Sequence, residues 1–176
     1  MSEVVPRVRL FVMDVDGTLT DGTITYTAEG IELKSFHARD GAGIKLLSRA
    51  GIEPAIVSGR ASPAVRRRAA ELGIARVMEG VKEKLPAVDA LRRELGLPWE
   101  AVAFVGDDLT DVPPMRVAGF SAAPADAAIE VRRVATHVCL LPGGRGAVRE
   151  AIETLLRRLG VWDRLLEEIG AGGEAP

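Results

Sequence analysis

The sequence predicts an α/β fold, a Rossmann-like parallel sheet with helices on both faces, and three observations predict it. Short apolar, β-branched runs alternate along the chain with longer stretches of helical spacing. The first run, residues 8–13, is compact and apolar and ends in acidic residues, as a strand buried in a parallel sheet does. The groups with chemistry to offer fall just after such runs, and in a parallel sheet those ends lie along one edge.

Taken in order, residues 42–50 have helical spacing through Ile44, Leu46 and Leu47 and stop at Gly51. Residues 54–57 form the next strand. Ser62 supplies an N-cap and Pro63 a first-turn proline for a helix that runs to Leu72 and closes at Gly73. A short strand at 75–78 leads to a helix over 82–95, stopped by Gly96. Residues 101–105 are another apolar strand, followed by a short helix beginning near Asp108. Weaker strands are expected at 119–122 and 136–140, helices at 147–159 and 162–169, and a flexible tail at about 170–176.

One stretch breaks this rhythm. Within residues 22–36, two alternating β-branched segments flank Ala28-Glu29-Gly30, a hairpin signature with a glycine available for positive φ. A hairpin projecting from the C-terminal end of a strand stands over the place where ligands bind in open α/β sheets, as a flap or as an oligomer contact.

The chain of 176 residues fits one domain, 1–176, with a real core and no room for two large ones. Aromatics are scarce at 4%, so that core is built mainly from Val, Leu, Ile and Ala. A net charge of −2 gives no bulk attraction to nucleic acid or to an anionic membrane, and the clusters Arg66-Arg67-Arg68 and Arg132-Arg133 read as solvated helix faces. The single cysteine, Cys139, excludes an internal disulfide and lies in an apolar run, which makes it a buried structural thiol. No segment approaches membrane-spanning length and no leader pattern opens the chain, so the expected location is cytoplasmic.

The segment after the first strand carries the most chemistry. Asp14 and Asp16 are followed by Gly17 and by the hydroxyl residues Thr18 and Thr20. Gly17 permits a turn whose backbone N–H groups cradle a phosphate. One carboxylate can attack phosphorus while a second protonates the leaving alkoxide and later activates water. Two carboxylates beside a phosphate dianion need a cation between them, and a hard, oxygen-seeking ion such as Mg²⁺ suits. Alone, the pair also fits a plain metal site or a polar strand end.

Further groups extend the pattern. Ser58, beside Gly59, follows the second long strand and can donate to a phosphate oxygen. Lys84 opens a helix, where a lysine is either solvated or neutralises phosphoryl charge, with Lys82 as its competitor. Asp107, Asp108 and Asp111 crowd one strand-to-helix turn, more carboxylates than capping needs, which favours a metal ligand among them.

Carboxylate pair, hydroxyl, lysine and acidic turn, in that order, resemble the four motifs of the haloacid dehalogenase-like superfamily of phosphohydrolases, over residues 8 to about 150. The resemblance implies Asp14 as nucleophile and Asp16 as general acid/base, with Ser58 and Lys84 on the phosphate. It gives Mg²⁺ to Asp14, the Asp16 carbonyl and Asp107, and leaves Asp108 and Asp111 as supporting or alternative ligands. The segments at 14–22, 34–41, 58–63 and 143–150 further resemble the 3-deoxy-D-manno-octulosonate 8-phosphate phosphatase family. That family lacks a large cap domain and is tetrameric, each active site completed by a neighbouring subunit. The expected reaction frees the sugar acid from its phosphate, with Gly17, Ser58 and Gly59 around the phosphate and Arg60, Arg68 and His37 on the sugar acid, some from an adjacent subunit. Arginine forks suit a carboxylate.

The chain departs from the family in a C-terminal tail shorter than the one that commonly reaches a neighbour's site. The same motifs resemble phosphatases of nine-carbon sugar acids, which are the alternative together with a broad sugar-phosphate phosphatase. A phosphoacceptor signalling domain fits less well, because no acceptor aspartate follows the strand at 75–78. A non-catalytic subunit is disfavoured because all the catalytic residue types are present.

Overall fold

The computed structural model describes residues 8–172, and the last part of the expected tail, 173–176, lies outside the described residues. Six parallel strands form one sheet: β1 (Leu10–Met13), β4 (Glu53–Val57), β5 (Arg76–Met78), β6 (Val102–Val105), β7 (Phe120–Ala123) and β8 (His137–Val138). An antiparallel hairpin of β2 (Thr25–Tyr26) and β3 (Glu32–Leu33) stands apart from it. The helices are α1 (Ala38–Arg49), α2 (Pro63–Leu72), α3 (Lys84–Glu94), α4 (Val112–Val117), α5 (Ile129–Val134), α6 (Ala147–Arg158) and α7 (Trp162–Glu168).

Every residue of β1 is buried, and alternate side chains serve opposite cores. Phe11 and Met13 join Ile44, Leu47, Val65, Ile152 and Leu156 beneath α1, α2, α6 and α7. Leu10 and Val12 join Val88, Leu91, Met115 and Val131 beneath α3, α4 and α5. Burial on both faces is why the strand reads as a continuous apolar run, each large side chain contributing about 1.5–3 kcal/mol.

The sheet order β5-β4-β1-β6-β7-β8 places the site. From β1 the chain winds outward through α1 and α2 to β5. It then crosses back by α3 on the other face to β6 and continues to β8, so the connections after β1 and β6 leave in opposite directions. Neighbouring strands whose connections diverge open a crevice at their C-terminal ends. Asp14 follows β1 and Asp107 follows β6.

Several boundaries differ from expectation, each for a tertiary reason. Helix α1 begins at Ala38 rather than Ala42, because buried Asp40 in its first turn accepts a hydrogen bond from the Arg149 N–H of α6 (2.7 Å). Helix α3 begins at Lys84 rather than Lys82: the Val81 N–H donates to the Ser58 carbonyl (3.0 Å), and Glu83 is still extended. Ser62 occupies the N-cap position of α2, yet its hydroxyl makes no capping bond. Its backbone N–H instead donates to Glu79 (2.7 Å).

The strand expected over 136–140 shrinks to His137–Val138. Thr136 exchanges side-chain and backbone hydrogen bonds with Ser121, and the Leu140 and Leu141 N–H groups turn to Glu150. Helix α5 was not expected; six residues are too few to show a helical period. No helix among the described residues is long and apolar enough to cross a membrane.

Candidate active site

The floor of the crevice is assembled from the ends of three elements. The Asp14 N–H donates to the Val105 carbonyl (2.9 Å), carrying the β1–β6 ladder one residue past the strand and fixing where the carboxylate points. Asp14 is only 6% exposed. Its Oδ1 lies 2.8 Å from Nζ of Lys84, the first residue of α3, and the same Nζ lies 2.6 Å from Oδ1 of Asp111. Lys84 is buried whereas Lys82 is exposed, so Lys84 is the lysine of the cluster.

Asp111 has both oxygens engaged. Its Oδ2 accepts the backbone N–H groups of Asp107 (2.9 Å) and Asp108 (3.1 Å), which folds the acidic turn around it. Gly106 makes this possible, since a Cβ there would collide with the Asp111 carboxylate. Asp107 is turned the other way and accepts the Thr18 hydroxyl (2.8 Å). Gly17 has φ +87°, and a side chain at that position would run into Asp107. The loop after β1 and the turn after β6 are thus interlocked, and the Gly144 N–H braces the first of them through the Thr18 carbonyl (3.0 Å).

Oxygens of Asp14, Asp107 and Asp111 all lie within 4.8 Å of one another, with one ammonium among them. Burial, reinforced by the charge of Asp111 and only partly offset by Lys84, pushes Asp14 up to about 6. Burial and the neighbouring Asp14 push Asp107 up to about 8. Burial works against the charge of Lys84, but Asp14 and Asp111 outweigh it and hold the ammonium above its ordinary range. An excess of buried, hard oxygen donors around one cation fits Mg²⁺. Because Asp111 is already committed to Lys84 and two N–H groups, Asp14 and Asp107 are the carboxylates left to hold an ion.

The rim has a different construction. Ser58 follows β4 and is 1% exposed; its Oγ accepts the Arg60 N–H across the turn at Gly59 (3.3 Å). The Arg60 guanidinium reaches the hairpin, donating to Glu32 (2.8 Å) and the Tyr26 hydroxyl (3.2 Å), and lies 4.0 Å from Asp16. Asp16 does not join the floor. Its carboxylate is bound by Lys34, whose ammonium also approaches Glu32 (3.5 Å). Sequence reasoning passed over Lys34 and Glu32 as site residues, although a period of two puts both on one face of the second hairpin segment. Thr18 was noted only as a hydroxyl.

His37 and Arg68 lie elsewhere in the chain. His37 precedes α1, with its Nδ1 buried and without a hydrogen-bond partner among the described residues. Arg68 pairs with Glu71 (3.3 Å) and lies over the Phe36 ring at 6.0 Å. Both line a small cavity with Asp40 and Gly41, away from the carboxylate cluster. A second group, His137, Cys139 and Glu150, also gathers possible ligand atoms. Glu150 spends its oxygens on the Leu140 and Leu141 N–H groups, and the Cys139 thiol donates to the Ala147 carbonyl (3.4 Å). Burial first, and Glu150 second, push that thiol up to about 12, which keeps it protonated and structural.

A family model for haloacid dehalogenase-like hydrolases matches residues 37–119. The 3-deoxy-D-manno-octulosonate 8-phosphate phosphatase of Haemophilus influenzae is 43% identical over 160 residues, covering 91% of this chain and 89% of that one. The chain belongs to the 3-deoxy-D-manno-octulosonate 8-phosphate phosphatase family. The family member of Escherichia coli K12 is 44% identical over 157 residues, 89% of this chain and 84% of the relative. The Moraxella catarrhalis phosphatase of this family, solved with magnesium ion, phosphate ion and KDO, superposes with a TM-score of 0.90 at 39% identity, covering 94% of this chain and 95% of the other. Among the described residues the chain carries a hairpin and no large cap domain.

Proposed function

We propose that this chain hydrolyses 3-deoxy-D-manno-octulosonate 8-phosphate to the free sugar acid and phosphate, through a phosphoryl group carried transiently on Asp14. The observation that carries the reading is the division of the two carboxylates after β1. Asp14 lies on the buried floor against Lys84, and Asp16 sits at the rim beneath the hairpin. An in-line displacement needs a nucleophile on one side of phosphorus and a proton donor on the other.

In the first step an Asp14 oxygen bonds to phosphorus as the ester P–O bond breaks, and Asp16 gives its proton to the departing alkoxide. In the second, Asp16 as carboxylate takes a proton from water, whose oxygen attacks phosphorus and releases phosphate from Asp14. Lys84 neutralises equatorial oxygen charge. The Ser58 hydroxyl and the N–H groups around Gly17 and Gly59 hold those oxygens. Asp14, Asp107 and the Asp16 carbonyl would hold Mg²⁺, which when bound offsets repulsion between the carboxylates and the phosphate dianion.

Arg60, Arg68 and His37 are assigned to the sugar acid, the last two across a subunit contact, since within the chain they lie apart from the floor. A homotetramer is supported by the four large apolar side chains that the hairpin exposes, Ile24, Tyr26, Ile31 and Leu33. The assigned compartment is the cytoplasm, in keeping with a chain whose one cysteine is a structural thiol.

Phosphate release in Mg²⁺ across 3-deoxy-D-manno-octulosonate 8-phosphate, a nonulosonate 9-phosphate and ordinary hexose and pentose phosphates tests the reading. A preference of ~100-fold in kcat/KM for the eight-carbon substrate, about 2.7 kcal/mol, is expected. A flat profile would discard that substrate and keep the chemistry.

A further inference from the structure

The hairpin is tied to the crevice twice, and the two ties do different work. Arg60 joins the turn after β4 to both hairpin strands through Tyr26 and Glu32. Both of those bonds are exposed at the surface. Lys34, just beyond β3, makes a second and more buried connection: its ammonium binds the Asp16 carboxylate directly. The Lys34 side chain is 2% exposed. A buried ammonium is costly unless its charge is met, and here it is met by Asp16 and Glu32.

Among the described residues, Lys34 is the one group that hydrogen-bonds the Asp16 side chain; Arg60 comes no nearer than 4.0 Å. Asp14 attacks from the floor, so the departing oxygen of an in-line displacement faces outward, toward the hairpin. The Asp16 carboxyl is a short side chain on a turn with a glycine beside it, and nothing on its own loop fixes its direction. From this we infer that Lys34 is a positioning residue, holding the Asp16 carboxyl toward the leaving-group oxygen, with Glu32 holding Lys34 from the other side. The inference rests on the phosphatase reading above and adds to it the part the hairpin plays in each chain's own catalysis.

The test separates aim from mere stability by changing the leaving group. An alkoxide departs only with a proton, whereas p-nitrophenolate departs without one, so a mispositioned acid harms the first and spares the second. The parameter to read is kcat/KM, which stops at the first irreversible step and so excludes later hydrolysis of the phosphorylated Asp14.

For Lys34→Met, kcat/KM on a sugar phosphate should fall ~100-fold and on p-nitrophenyl phosphate less than about threefold. Lys34→Arg should recover part of the loss, and Asp16→Ala should show the same leaving-group selectivity. Lys34→Gln serves if the Met variant does not fold. Equal losses on both substrates, or no loss on either, would overturn the inference. If the unsubstituted enzyme turns over sugar phosphates and Asp14→Asn does not, the phosphatase reading stands whatever the Lys34 variants do. If the unsubstituted enzyme is inert, both fall together.

Discussion

The floor and the rim of the crevice are both built from ion pairs, yet they hold their charges in opposite ways. On the floor, Asp14, Lys84 and Asp111 are buried, and each leaves the end of a strand or the first turn of a helix, so backbone geometry places them. At the rim, Asp16, Lys34, Glu32 and Arg60 come from a loop, a hairpin of two-residue strands and a turn, and they hold one another. The difference teaches that the groups proposed for phosphoryl transfer extend the sheet, while those proposed for leaving-group and substrate contacts hang on side-chain pairing at the rim of the crevice.

If that contrast is right, floor substitutions should be severe in activity and, where a buried partner is stranded, in stability as well. Asp14→Asn removes the proposed nucleophile and should lower kcat by at least ~10³-fold in a phosphate-release assay, with the fold retained by circular dichroism. Retained turnover would defeat the covalent mechanism whichever substrate is right. Lys84→Met strands Asp14 and Asp111 against each other in a buried site. It should cost about 3–5 kcal/mol in urea unfolding and ~10²-fold in kcat. A small effect on both would place Lys84 among solvated lysines after all.

The charge imbalance of the floor makes a prediction about metal removal. Asp14 and Asp107 both titrate above the ordinary carboxylate range in the folded chain, burial being the main cause. Between pH ~4 and ~8 the folded, metal-free protein therefore keeps protons that the unfolded chain has lost. The stability these two groups contribute is fully present below the unfolded carboxylate range and is lost as pH rises through the folded values of about 6 and about 8. Lys84 stays charged throughout that window. Protein stripped with EDTA should lose on the order of 5 kcal/mol between pH 5 and 8 in denaturant titrations, and millimolar Mg²⁺ should abolish the slope. A flat profile without metal would mean that the cluster is balanced as it stands.

The same division governs what could be read from sequence. Asp14, Ser58 and Asp107 could be placed on one edge because each follows an apolar run within two residues, and strand ends of a parallel sheet meet along one edge; Lys84, six residues past its strand, was legible only as the opening of a helix. Gly17 was legible as a turn residue, although its closer role, leaving room for Asp107, needed β6 beside β1. Lys34 was not legible as a site residue because its partner lies eighteen positions away, across a hairpin whose closure no local pattern fixes. The early start of α1 depends on Arg149, far along the chain, and the truncated strand at β8 on Ser121 and Glu150. Boundaries set by long-range hydrogen bonds leave no periodic trace.

The mildest expected effect sharpens the comparison most, because it falls on a residue that belongs to the rim alone. Arg60 is 43% exposed and holds Glu32 and Tyr26 at the surface, so Arg60→Met should leave Tm unchanged within measurement. It retains the turn at Ser58, whose Oγ is bound by the Arg60 backbone rather than the side chain. Phosphate binding should therefore persist, and kcat should change by less than about threefold. What should change is recognition of the sugar acid: with its guanidinium gone, KM for the sugar-acid phosphate should rise ~10-fold, while KM for a hexose phosphate lacking the carboxylate should not. An equal rise for both would mean that Arg60 acts through the hairpin it anchors. An unchanged KM for both would return the guanidinium to Glu32 and Tyr26 and leave sugar-acid recognition to residues delivered by another subunit.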